Sequence, residues 1–395
     1  MLRLESLTQV LSRRRLALFS LLLVSVEVGA QHPVLAPTSN TTIVVTSAPL
    51  RYSSITVPAG VTVRFVAPGF GPNSIPGMPA VIYCDGDVDV HGTLSVSPDG
   101  SNVIAAGWVA TGAGSAGMLC GSGFGAPYLP PGGGRHAFAY GSAIPFSLEG
   151  GSAGGAMEFY DFSCSFYVST SPGLYPSGTL ALIAAGRIDI HGAVTADGIG
   201  WTSTGQGNPG SSSGGSILLR GGIGLVVHPT GSVTARGGPS APLAPFEWPW
   251  PYARSGEAGI IRLDAWGAPP VIQGTVDPPA TVLELPHLIS YSPPQIGHSW
   301  GLGILAPDGS PLFLAVALQP GPGTPTPFGL LGIDPMTAAT LTVAMSLPSH
   351  DPIANVSIGV PNAPTLIGLS LWLQGFAVAP SLPPRLTNAV MAVVQ

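Results

Sequence analysis

A phrase of alternating apolar and polar residues returns in this chain at a spacing of one hundred. Residues 81–98 read VIYCDGDVDVHGTLSVSP and residues 181–198 read ALIAAGRIDIHGAVTADG. The two share Gly86/Gly186, Asp89/Asp189, His91/His191 and Gly92/Gly192, with Val88 and Val90 in one answered by Ile188 and Ile190 in the other. Two looser copies follow, SILLRGGIGLVVHPTGSVTARGG at 216–238 and IIRLDAWGAPPVIQGTV at 260–276, in which Gly231 and Gly274 match Gly192. A degenerate opening copy, ITVPAGVTVRF, runs from Ile55 to Phe65. Self-similarity of this kind confines the chain to repeat architectures.

Each copy is two or three short stretches with the period of two of a β-strand, punctuated by turn residues. One such unit cannot bury its own Val, Ile and Leu, whereas stacked coils bury them in one column and pair their backbones from coil to coil. A glycine at the same place in every copy marks a corner, where the backbone either takes a positive φ or passes too close to the neighbouring coil for a side chain. The expected fold is therefore all-β: an irregular right-handed parallel β-helix over residues 31–285. Between the copies lie Gly- and Ser-rich inserts at Ala110–Gly125, Gly132–Arg135, Gly150–Gly155 and Gly210–Ser216, and a Trp/Pro cluster, PFEWPWPY, at 245–252. Inserts of a solenoid emerge on one face and carry function or act as spacers.

Near Pro286 the Gly-flanked pattern gives way to proline-punctuated strands at Trp300–Leu305, Leu312–Leu318, Thr340–Leu347, Ala354–Val360, Leu366–Ala379 and Leu386–Val394. Their spacing predicts a small antiparallel β-sandwich over residues 286–395. It would cap the open end of the solenoid or attach the chain to a surface.

The first thirty residues have the order of a secretory signal: Arg13, Arg14 and Arg15, then the uncharged apolar run Leu16–Val26, then Val28-Gly29-Ala30 before Gln31. The run is shorter than the ~20 residues a membrane span needs. Residues 1–30 are thus expected to be a signal peptide, and the mature chain to reside outside the cell or in its envelope, with no membrane span. Gly (55) and Pro (43) make up about a quarter of the chain, a level that raises disorder, but a hydrophobic fraction of 45% set in periodic runs points to a packed core. All thirteen basic residues are Arg, and removal of residues 1–30 leaves nine against seventeen acids. That balance excludes the basic stripe of a nucleic-acid binder. Of three cysteines, Cys84 sits in a strand pattern and reads as a small buried residue, and Cys120 and Cys164 lie in loop-like sequence and are the favoured disulfide pair.

The phrases GRIDIHGAVTADG, GGSILLRGG and GSVTARGG, with GNPGSSSGG just before a strand, resemble those of right-handed parallel β-helix proteins, and more narrowly those of large exported bacterial proteins. The resemblance covers roughly residues 50–280. It implies the architecture. Proteins of this architecture include pectate-lyase-like enzymes, other polysaccharide-active enzymes and adhesins, so activity is left open.

The best candidate chemistry is Asp85, Asp87, Asp89 and His91, with Asp189 and His191 in the matching copy. Alternation puts the first four on one face, opposite Val88 and Val90. If the copies stack in register, Asp89 meets Asp189 and His91 meets His191. Asp87, Asp89 and Asp189 could then hold calcium, given further oxygens, or a carboxylate pair could act on a sugar. The plain alternative is a row of solvated side chains. Arg187 and Arg220 could supply a base on neighbouring coils, or be surface charges. Trp248, Trp250 and Tyr252 alternate and could stack on sugar rings or pin their own loop. The nonapeptide calcium repeat and the Lys of a phosphate loop are missing from the sequence, and no G-x-S-x-G elbow with a partnered His and Asp stands out. The reading is an exported structural or adhesive solenoid without an evident catalytic constellation, with polysaccharide or cell-envelope partners. The alternative is a carbohydrate-binding or polysaccharide-degrading β-helix.

Overall fold

The computed structural model describes residues 32–46, 48–66, 79–98, 117–119, 157–160, 168–171, 177–200, 211–239, 255–306, 310–345, 353–379 and 382–395. Three parallel six-stranded sheets dominate. The first holds Leu50–Tyr52, Ala80–Cys84, Thr179–Ala184, Ser216–Gly221, Ile260–Trp266 and Thr281–Leu285. The second holds Val34–Leu35, Ser54–Val57, Val88–Val90, Arg187–Ile190, Gly224–Val227 and Val271–Ile272. The third holds Thr41–Val44, Thr62–Val66, Thr93–Ser95, Ala193–Thr195, Ser232–Thr234 and Thr275–Asp277. The chain visits them in the order first, second, third and then steps to the next coil, which is a parallel β-helix.

The period of two builds the core. Ile82, Leu182, Leu219 and Leu263 stack in register on the first sheet, Val90, Ile190 and Val227 on the second, and Leu94, Val194 and Val233 on the third. All are 1% exposed or less and belong to one cluster that runs from Leu35 to Ala265. Burying one such side chain contributes ~1.5–3 kcal/mol, and each is held above and below by its equivalent in the next coil. Cys84 continues an inner row with Ala184, is buried and free, and burial pushes its thiol pKa up.

The repeat at a spacing of one hundred is a direct stacking. Val88, Asp89 and Val90 pair with Ile188, Asp189 and Ile190, and Thr93–Ser95 with Ala193–Thr195. Residues 99–176 therefore add nothing to the coil count. The chain leaves and returns at one point, where the Gly178 N–H donates to Val96 O at 2.9 Å. The same corner recurs one and two coils on: Gly215 N–H donates to Ala196 O at 2.7 Å and Gly259 N–H to Ala235 O at 2.6 Å. The intervening segments 201–210 and 240–254 thus leave from equivalent places. The corner between the second and third sheets is tight instead. There Gly192 sits where a Cβ would collide with Gly92 O and His91 O, and among the described residues its φ is not in the positive region. Of the two reasons a corner can demand glycine, close approach of the coils is the one at work here.

The stretch Gly210–Ser216, expected to be an insert, is in its described part structural. Ser211, Ser212 and Ser213 are 0% exposed. Ser212 Oγ accepts the Ile199 N–H at 2.8 Å and Ser211 Oγ donates to Pro239 O at 2.6 Å. A Cβ on Gly256 would strike Ser212 O, so the Gly/Ser composition reflects backbone-to-backbone packing between coils.

Parallel pairing ends at Leu285, and from His287 onward every pairing among the described residues is antiparallel. His287–Ser290, Ser299–Leu305 and Ile353–Gly359 form one sheet. Pro311–Ala317, Ala339–Met345, Ser370–Ala377 and Arg385–Val393 form a second, and Pro320–Thr326 with Gly329–Ile333 a hairpin. The six strands expected here are present within a few residues, the fifth shortened to Ser370–Ala377 by a 3-10 turn at Pro364–Leu366. The hairpin and His287–Ser290 were not anticipated, because PGPGTPT carries no alternating apolar signal. The core of this region incorporates Trp266 and Leu285 from the first solenoid sheet, and Trp266 Nε1–H donates to Pro383 O at 3.0 Å. The contact is by side-chain packing: none of its described strands extends a solenoid sheet, and Val271, Ile272 and Val282 on the last coil are 46%, 40% and 38% exposed.

Candidate functional site

The tight corner between the second and third sheets carries a vertical row of polar side chains. Strand alternation points Asp89 and His91 away from Val88 and Val90, and register repeats this one coil on with Asp189 and His191. The next strand, Gly224–Val227, pairs Val226 with Asp189, so His228 occupies the place of His191. The three imidazoles form a stack: His91 and His191 have centroids 4.5 Å apart with planes within 4°, and His191 and His228 are 3.7 Å apart within 12°.

The carboxylates flank this stack. His91 Nε2 lies 3.1 Å from each oxygen of Asp89, with hydrogen-bond geometry only to Oδ2. His191 Nε2 is 3.9 Å from Asp89 Oδ1. His228 Nε2 is 2.7 Å from Asp189 Oδ1, and Arg187 Nε is 2.8 Å from Asp189 Oδ2. Asp189 is thus doubly partnered. Asp89 Oδ1, by contrast, is enclosed and has no hydrogen-bond partner. Asp89, His91 and His191 form one group whose donor atoms all lie within 4.8 Å of one another, and Asp189, His191 and His228 form another.

The expected residues are therefore partly assembled. Asp89, Asp189, His91 and His191 come together. Asp87 is engaged differently, its Oδ1 accepting the Arg187 backbone N–H at 2.8 Å to close the corner between the first and second sheets. Trp248, Trp250 and Tyr252 lie outside the described residues, as do Cys120, Cys164 and the segment 1–30. His228 was missed because the copies were matched on Gly231. Pro229 and Thr230 lengthen that corner by two residues, so matching on Val226-Val227 instead would have put His228 opposite His191.

A second charged group lies on the outer side of the first sheet. Arg220 and Arg262 are 2% and 4% exposed and both clasp Asp264, which is fully buried. Arg220 donates through Nε and Nη2 to Oδ2 at 3.1 and 2.7 Å, and Arg262 through Nε to Oδ1 at 2.8 Å and Nη2 to Oδ2 at 2.7 Å. The surface-charge reading of Arg220 is corrected by this burial, whereas Arg187, with half its side chain exposed, keeps it. Beside this cluster His287 has its pKa lowered, chiefly by burial and then by the charge of Arg262. Among the described residues no helix is long and apolar enough to cross a membrane.

No known family model, curated protein or solved structure matches this chain.

Proposed function

We propose that this chain is an exported structural or adhesive β-solenoid of the cell surface or envelope, whose coils carry inserts that meet polysaccharide or other envelope components. The observation that carries the reading is topological. The coils close without the inserts, and residues 99–176, 201–210 and 240–254 all depart from equivalent positions at one corner. Long segments added to a scaffold that does not need them are where binding function concentrates. Export rests on the order of Arg13–Arg15, Leu16–Val26 and Val28-Gly29-Ala30.

The second reading, binding or cleavage of an acidic polysaccharide at the polar corner, is favoured by the direct pairing of Asp89 with Asp189 beside the imidazole stack. One experiment separates the two. Binding to a panel of glycans and envelope fractions is compared for the full chain, a chain in which a short turn joins Pro98 to Ser177, and an Asp89→Ala/Asp189→Ala chain. Retained binding in the carboxylate variant with at least tenfold loss in the shortened chain supports display by the insert. The reverse pattern, or turnover of polyuronates that needs Asp89 and Asp189, overturns it in favour of the corner. Failure of the intact, folded chain to bind any fraction overturns the adhesive reading.

A further inference from the structure

We propose that Asp89, His91 and His191 form a binding site for a divalent metal of borderline softness, of the Zn2+ class, that clamps two adjacent coils together. Three features converge on this. Two imidazole nitrogens and a carboxylate oxygen from neighbouring coils already lie within 4.8 Å of one another. Tetrahedral zinc at ~2.0–2.1 Å from its ligands would set them about 3.3–3.4 Å apart, so the donors must close by about an ångström and the two imidazoles, now stacked within 4°, must turn out of the stack to aim their lone pairs at one ion. The second feature is Asp89 Oδ1, an enclosed atom of a side chain that is 44% exposed, which accepts no hydrogen bond and lies 3.1 Å from His91 Nε2 and 3.9 Å from His191 Nε2. An enclosed acceptor without a donor is costly, and a cation bound there would relieve it. The third is the contrast with the other group. Both carboxylates have a histidine hydrogen bond, but Asp189 is also held by Arg187 at 2.8 Å, so a metal there would have to displace an existing cation. His191 belongs to both groups, and this contrast assigns it to Asp89.

The donor set decides the metal class. Calcium prefers six to eight oxygens, and this cluster offers two nitrogens and one carboxylate, while Asp87 is occupied in its corner. Two imidazoles and a carboxylate suit zinc and its neighbours, with a solvent molecule in the fourth position. On His91, a solvent-facing ligand, side-chain exposure is 46%, which gives the ion an entry route.

Position explains the use. His91 and His191 lie on the two coils between which residues 99–176 leave the stack. That junction is spanned by the longest stretch of sequence between two adjacent coils, and a metal held by His91 and His191 would add a cross-link between those coils.

The test is titration of the full chain, stripped with chelator, with zinc sulfate by calorimetry, alongside thermal melting with and without zinc. One zinc per chain is expected, with a rise in melting temperature that calcium chloride does not reproduce. His91→Ala and Asp89→Asn, both partly exposed positions, should each weaken zinc binding at least tenfold while leaving the metal-free melt unchanged. His228→Ala should leave affinity within about threefold. No saturable zinc binding, unaltered binding in His91→Ala, an equal response to calcium, or a greater loss in His228→Ala than in His91→Ala would each overturn the assignment.

Discussion

Replacement of Asp264 by Ala should lower the melting temperature of the protein by several degrees without any change at the polar corner. Asp264 is fully enclosed and receives four hydrogen bonds, two from Arg220 and two from Arg262, at 2.7 to 3.1 Å. Bonds of this kind are charge-assisted at both ends, and both guanidinium groups are themselves at most 4% exposed. The isolated worth of such a cluster is ambiguous, because desolvation offsets most of the Coulomb attraction. Removal of the carboxylate is not ambiguous, since two desolvated cations then face each other across the sheet. Breaking a buried pair in this way costs ~3–5 kcal/mol. With an unfolding entropy of ~2.1 cal/mol/K per residue over the roughly 250 described residues, the transition carries ~0.5 kcal/mol/K, which converts that cost to a drop of about 6–10 °C. Asp264→Asn keeps an acceptor of the same shape and loses only the charge, so it should fall between. The assay is differential scanning calorimetry of wild type and the two variants in one buffer. A melt of Asp264→Ala within about 1 °C of wild type, or an Asn variant less stable than the Ala variant, would refute the claim that the buried carboxylate holds the two arginines in place.

Gly192→Ala should destabilise the stack by about 3 kcal/mol or more, because the new methyl would occupy the place of Gly92 O, whereas Gly224→Ala, with nothing within 4 Å, should be close to neutral. Urea denaturation of the pair checks this, and equal midpoints would exclude close approach as the reason for the corner glycines. His287 adds an acid sensitivity. Its folded pKa lies below the ordinary 6.5, so as pH falls the unfolded chain takes up the proton first. Its contribution to stability is complete above about 6.5 and drains away as pH drops toward the folded value. In His287→Gln the melting temperature should fall less over that window than in wild type. A variant with the steeper fall would show that Asp264 and Glu284, which pull the pKa upward, outweigh burial and Arg262.

Much of this molecule is written in its period of two. Val88/Val90 and Ile188/Ile190 have no partner within their own short strands, so any fold that buries them must stack one copy on another. The recurring Gly92, Gly192, Gly231 and Gly274 mark where the stack turns. The same logic brought Asp89 and His91 over Asp189 and His191, and the C-terminal strands followed from proline spacing. Three things were decided only by the folded chain. The spacing of one hundred gives the separation of two copies along the sequence but not in space. That they are adjacent coils depends on the entropy of a long closed loop, which grows only slowly with its length and leaves no local trace. The place of His228 depended on backbone pairing, since the extra Pro229 and Thr230 fall at a corner and leave the strand register intact. The burial of Arg220, Arg262 and Asp264 depended on what lies over the outer side of the first sheet. Alternation assigns a residue to a face, and only tertiary packing determines whether that face meets water.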